Sequence, residues 1–158
     1  MNILGIDPGS ITTGFGIIRQ EENKQIYVVS GCIKIGNKPW AERLLQICQD
    51  LTEIVKEYLP EQAAIEQVFV NKNVSSALKL GHARGAAMLA VASLGISIAE
   101  YSPRKIKQAV VGHGGAEKVQ VQHMVKTLLG LSTVPKTDAA DALAIAICHG
   151  NCLRGKRW

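Results

Sequence analysis

Apolar positions open the chain in a run, Ile3-Leu4-Gly5-Ile6, that ends on a carboxylate, Asp7, and is cut off at once by Pro8-Gly9. A short β-rich run, Phe15-Gly16-Ile17-Ile18, follows, and a longer one from Gln25 to Ile35 is dense in β-branched residues. Such runs bounded by turn residues predict strands, here three in an antiparallel meander. From Trp40 the period changes. Leu44, Ile47/Cys48, Leu51, Ile54/Val55 and Tyr58 recur at helical spacing with polar residues between them, up to a stop at Leu59-Pro60. Ala63 to Val68 predicts a fourth strand with one carboxylate, Glu66, inside it. Coming after a helix, it is expected to run parallel to the first strand.

Phe69 to Asn73 reads as a loop, and Val74 to Leu94 as a long helix. Leu78, Gly81/His82, Gly85, Met88/Leu89 and Ala92 line one side of that helix. Its glycines and alanines keep the surface low, which suits tight packing on the sheet or a subunit interface. Ile96 to Tyr101 predicts a fifth strand, and Ser102-Pro103 a helix start, with the helix running to Val111. A glycine-rich loop, 112–115, precedes two more helices, Glu117 to Leu129 and Lys136 to His149. The order βββαβαβααα predicts an α/β fold, a five-stranded mixed sheet with helices on both faces. No repeat or linker interrupts it, so residues 1–150 are expected to form one domain, followed by a short basic C-terminal tail, 151–158.

Composition narrows this only a little. At 158 residues, 47% hydrophobic and 20% charged, the chain can bury a sizeable core, and a net charge of +5 suits a polyanionic partner without requiring one. Its four cysteines are too scattered for a disulfide framework, and Cys148-His149-Gly150-Asn151-Cys152 lacks the second ligand pair that a zinc site needs. The opening shows no basic leader, and the most apolar stretch, Ala86 to Ala99, is too short to span a bilayer. A cytoplasmic location is the expectation.

The chemistry lies in the acids. Asp7 ends the first strand and Glu66 lies in the fourth, so neighbouring strands would bring both to one end of the sheet. Asp138 and Asp141 in Lys136-Thr137-Asp138-Ala139-Ala140-Asp141 are three apart, on one face of a helix and near its start. Taken singly, each has a plain structural role open to it: Asp7 as a turn former, Asp138 as a first-turn acid, Asp141 as a partner for a base. A lone carboxylate inside an apolar strand, as at Glu66, demands a partner. Together the four would repel one another unless a cation intervenes. An all-carboxylate set selects Mg²⁺ or Mn²⁺, and two such ions can activate a water and stabilise the leaving oxygen of a phosphodiester.

Leu4-Gly5-Ile6-Asp7-Pro8-Gly9-Ser10, Ala64-Ile65-Glu66-Gln67-Val68-Phe69, Ala77-Leu78-Lys79-Leu80-Gly81, Ala116-Glu117-Lys118-Val119-Gln120-Val121-Gln122 and Asp138-Ala139-Ala140-Asp141-Ala142-Leu143-Ala144 closely resemble the RuvC family, bacterial Holliday junction resolvases. The resemblance runs in order from Asn2 to about His149. It implies an RNase H-like fold and a homodimer. It also implies an endonuclease that resolves four-way DNA junctions by paired, metal-dependent hydrolysis on two opposed strands, in recombination and repair. Asp7, Glu66, Asp138 and Asp141 would be the catalytic, metal-binding acids, with two Mg²⁺ per subunit and Mn²⁺ as a substitute. A branch-migration helicase complex is the implied partner.

Basic residues gather at Arg104, Lys105, Lys107 and Lys118, with Lys72, Lys79 and Arg84 on or before the long helix. They read either as phosphate contacts or as solvated helix faces. The resemblance puts Lys107 and Lys118 near the scissile phosphate. Phe69 either packs under its loop or stacks on an unpaired base, and the resemblance implies the second. Two other readings stay in view. An actin-like or sugar-kinase ATPase also begins with a strand, an Asp and a glycine turn, but needs a second domain and a second phosphate loop. A non-catalytic junction-binding module would not need all four acids.

Overall fold

The structure, a computed structural model, describes residues 1–69 and 73–155. Three strands come first: β1 (Asn2–Asp7), β2 (Thr12–Gln20) and β3 (Gln25–Lys34). They are followed by α1 (Trp40–Tyr58), β4 (Gln62–Glu66), α2 (Val74–Ala92) and β5 (Ile98–Tyr101), and then by α3 (Pro103–Val111), α4 (Lys118–Leu128) and α5 (Thr137–Leu153). The predicted order therefore holds. The strands lie as β3-β2-β1-β4-β5 in one mixed sheet, with β1–β2 and β2–β3 antiparallel, β1–β4 and β4–β5 parallel.

Alternation along β1 divides the core in two. Ile3 faces one cluster with Ile18, Ala64 and the inner sides of α3, α4 and α5. Leu4 and Ile6 face the other with Ile17, Ile65 and the inner sides of α1 and α2. The helices therefore cover both faces of the sheet.

Local sequence explains the element ends. Pro60 disfavours a helical conformation at Leu59, which closes α1 in the left-handed region at φ 47°. The Ser102 side chain caps α3 by accepting from the Lys105 amide at 3.3 Å, with Pro103 in the first turn. At α4 the Glu117 amide donates to Gln120 Oε1 at 2.8 Å.

Two features differ from the pattern reading. The last helix continues past His149 to Leu153. Gly150 and Asn151 carry stop signals in sequence, but both are buried here. Asn151 donates to the Ala109 carbonyl at 3.4 Å and accepts from Gln25 Nε2 at 3.4 Å, so tertiary contacts sustain the helix. The second feature is how close α5 lies to the sheet. A methyl group at Gly5 would meet the Ala142 carbonyl oxygen at 2.0 Å, and one at Gly14 would meet the Asp138 carbonyl oxygen at 2.1 Å. At Gly16 it would meet Leu143 at 2.7 Å. Gly5 pairs with Gly16 across the β1–β2 ladder, so these glycines form one trough that seats the alanine-rich face of α5.

Gly5→Ala is expected to force α5 outward and to cost about 2–3 kcal/mol, as overpacking does. Gly115→Ala should cost almost nothing, because nothing stands closer than 3.9 Å to the added methyl. Urea unfolding of the two variants checks both; equal stabilities would refute the close seating.

Candidate functional site

Strand register brings the first two acids together. Asp7 closes β1 opposite Gly14, and Ile6 pairs with Ile65 of β4, so Glu66 stands beside Asp7 at the same sheet edge. Both share the parity of Ile3, Gly5 and Ala64, the face that α5 covers. The turn after Asp7 is braced. The Gly9 amide donates to Thr13 Oγ1 at 3.4 Å, and Arg43 Nη1 donates to the Ser10 carbonyl at 3.3 Å.

Helix α5 supplies the others. Its first turn lies on Gly14, which places Asp138 next to β2, and Asp141 follows one turn on. Asp7, Glu66 and Asp141 line a single cavity of about 270 Å³, together with Lys107 from α3 and Lys118 from the start of α4. Asp138 is not among its lining residues, but its charge reaches both Asp7 and Asp141.

The electrostatics follow from this crowding. Burial, then the charges of Asp141, Glu66 and Asp138, push Asp7 up from 3.8 to about 7. Burial also raises Glu66, with Asp141 adding to it. It raises Asp141 too, against the pull of Lys118. Lys118 Nζ donates to Asp141 Oδ2 at 3.3 Å, and the acids around it raise its own pKa. Its side chain is 71% exposed, so this pair binds weakly and opens readily.

The other basic residues singled out in the sequence do not converge on the cavity. Lys79 sits over the Trp40 ring at 5.9 Å and Lys105 over the Tyr101 ring at 5.0 Å. The Arg104 stem packs against Gly114. Arg84 pairs with Glu100 and donates from Nε to the Glu66 carbonyl at 3.0 Å. Phe69 is 66% exposed just beyond β4. Lys72 and residues 156–158 lie outside the described residues.

Sequence reasoning passed over the glycine trough and the apolar lining of the cavity, Pro8, Val68, Leu80, Pro103, Ile106, Val121 and Ala144. The trough had a signal: glycines at alternate positions 14 and 16 in a strand, where their conformational freedom is of no use.

The donor set suits a hard divalent cation. It is all carboxylate oxygen, partly desolvated and mutually repelling, with Lys118 as the one cation hydrogen-bonded to it among the described residues. Among the described residues no three such side chains stand as a ready ligand group. Nor is any described helix long and apolar enough to cross a membrane.

Known proteins are similar to this chain in sequence and fold. The family described as crossover junction endodeoxyribonuclease RuvC matches residues 3–149. A protein of that name from Marinobacter nauticus is 59% identical over 149 residues, which span 94% of this chain and 85% of the relative. One from Francisella philomiragia is also 59% identical, over 94% and 87%. The solved structure of T. thermophilus RuvC in complex with Holliday junction substrate is 34% identical, with a TM-score of 0.91 over 98% of this chain and 96% of that one. The yeast mitochondrial Holliday junction resolvase, 12% identical with a TM-score of 0.68, shares the fold over 94% and 78%.

Asp7 yields a stability test. Its folded pKa, about 7, lies above the ordinary 3.8, so folding favours the protonated acid. The stability it contributes is full below about pH 4 and is lost as pH rises to 7 and beyond. At about 1.4 kcal/mol per pKa unit, the loss amounts to as much as about 4 kcal/mol. Asp7→Asn removes it. Without divalent cations at pH 8, urea unfolding should show the variant more stable by about 2–4 kcal/mol, with the two proteins converging near pH 4. A constant gap across that range would refute the buried-acid assignment.

Proposed function

The chain belongs to the crossover junction endodeoxyribonuclease RuvC family, with an RNase H-like fold, and we propose on that footing that it resolves four-way DNA junctions by cutting two opposed strands. The observation that carries the reading is the single cavity at the sheet edge. Asp7, Glu66 and Asp141 face Lys107 and Lys118 there, with Asp138 one helical turn away.

In this reading the four acids are the catalytic residues and hold divalent cations, Mg²⁺ with Mn²⁺ as a substitute, two per subunit. When bound, the ions activate the attacking water and neutralise charge on the leaving oxygen. The protein's own groups do the rest. Asp7, at about 7 in the protein alone, would have to give up its proton to hold a cation, so cation binding would strengthen with rising pH. Lys118 leaves Asp141 and, with Lys107, faces the phosphate, whose charge they stabilise in the transition state. Water adds to phosphorus and gives up a proton, the bond to the 3′ oxygen breaks, and that oxygen takes up a proton. The nick that remains, with a 5′ phosphate and a 3′ hydroxyl, can be ligated.

Pairing of the cuts calls for two copies. The outer side of α2 presents Val74, Leu78, Gly81, Gly85, Leu89 and Ala92 at helical spacing, all exposed. Methyl groups at Gly81 and Gly85 would meet open space, so a second backbone can approach there. A homodimer through α2 supports two sites related by a two-fold axis, matched to a near two-fold junction. The exposure of Phe69 beside the Glu66 strand supports its stacking on an unpaired base. A branch-migration helicase complex is the further partner that the family resemblance supports.

A synthetic four-way junction tests the reading. With Mg²⁺ the protein should nick two opposed strands at matching positions, and with chelator none. Asp7→Asn should bind the junction as tightly as the wild type and lower cutting by at least about 1000-fold; undiminished cutting would overturn the assignment. Gly85→Glu should sediment as a folded monomer that has lost paired cutting. A dimer with that substitution would exclude the α2 interface.

A further inference from the structure

We infer that Arg84 is a positioning residue, which fixes the end of β4 and so the placement of Glu66, and is not a phosphate ligand. The β1–β4 pairs end at Ile6–Ile65, one residue before Glu66, and the chain leaves the sheet at Gln67. On the other side the Gln67 amide donates to the Tyr101 carbonyl at 2.8 Å. That leaves the Glu66 carbonyl at a strand end. Arg84 reaches it from α2 and donates from Nε at 3.0 Å, while Nη2 of the same guanidinium pairs with Glu100 of β5. One planar fork thus ties three elements, α2, β4 and β5, at the point where a catalytic acid emerges.

Three observations separate this role from DNA binding. The Arg84 side chain is only 19% exposed. Glu100 already neutralises its charge. Glu100 also pairs in register with Ile65, on the α2 face of the sheet, opposite the face where Glu66 meets Asp7 and α5. Arg84 therefore acts through the backbone from behind. The fork geometry matters: a lysine carries the charge but cannot hold two acceptors in one fixed plane. Displacing a reacting group by about 1 Å can cost about 100-fold in rate, so a small slip of Glu66 would be visible.

The activity arm of the test rests on the junction-cutting reading; the binding arms do not. Arg84→Lys, Arg84→Ala and Glu100→Gln are compared with wild type by junction binding without divalent cations over a range of salt, by Mn²⁺ titration of the protein alone, and by single-turnover cutting at saturating protein. Positioning predicts junction affinities within about two-fold of wild type and an unchanged salt slope. It also predicts Mn²⁺ binding weakened several-fold and cutting slowed at least about ten-fold, in Arg84→Lys as well as Arg84→Ala. Glu100→Gln, at a half-exposed site that leaves the core intact, should slow cutting in the same direction although it removes a negative charge. Recovery of both Mn²⁺ binding and cutting in Arg84→Lys would overturn the inference. So would weakened junction binding with a shallower salt slope and normal cutting at saturation, or a Glu100→Gln protein equal to wild type in Mn²⁺ binding. A wild type that binds Mn²⁺ but leaves the junction whole would sink the nuclease reading alone, and the Mn²⁺ arm would still decide the role of Arg84.

Discussion

The contact between α5 and the glycine trough of β1 and β2 is the constraint on which the rest depends. A helix normally stands off a sheet by the thickness of two layers of side chains. Here Gly5, Gly14 and Gly16 remove one layer, and Ala139, Ala140, Ala142, Ala144 and Ala146 thin the other. The helix backbone comes down onto the strands, and its first turns with it. Asp138 and Asp141 therefore stand at the level of Asp7, where ordinary packing would hold them several ångströms above. The same seating buries α5 on nearly every side, which explains why a helix with two acids near its start is otherwise so apolar.

That closeness has an electrostatic consequence. Desolvation and mutual repulsion act together on Asp7, Glu66 and Asp141, and all three are raised from their ordinary values. Two lysines, Lys118 and Lys107, offset only part of this. The site is therefore destabilising as the protein stands alone, and a bound cation would favour it. Core packing around α5 must carry the difference, which is the usual relation between a rigid scaffold and a strained site.

The acids were legible in the sequence because an ionisable residue in an apolar strand, or two at helical spacing in an alanine-rich helix, breaks the pattern around it. The antiparallel meander of β1 to β3 and the parallel pairing of β4 with β1 then followed from the turn residues and the helix between them. The basic residues were not legible in the same way. Lys79 and Lys105 stay exposed beside Trp40 and Tyr101, whereas Arg84, read as an available cation, is largely covered and paired with Glu100. Composition records a charge but not the face on which it stands or the neighbour that meets it. The end of α5 was misjudged for a related reason. Gly150 and Asn151 are stop signals only when solvent surrounds them, and here Gln25 and the Ala109 carbonyl do instead.

Helix α2 connects the two levels of organisation. Its inner alanines, Ala83, Ala87 and Ala90, pack on the sheet face opposite α5, and its outer stripe stays bare. All four acids, with Lys107 and Lys118, come from one chain, so pairing through α2 is not needed to assemble a site. What pairing would add is distance and orientation between two sites, each complete in its own chain. Because α2 and α5 lie on opposite faces of the sheet, two copies joined through α2 would leave both cavities open to a large substrate. Arg84 stands at the rim between these roles. It roots in the helix proposed to join the subunits and ends on the strand that carries Glu66. A displacement of α2 as a rigid element would be felt at one acid of the four, and the other three, held by β1 and α5, would stay in place.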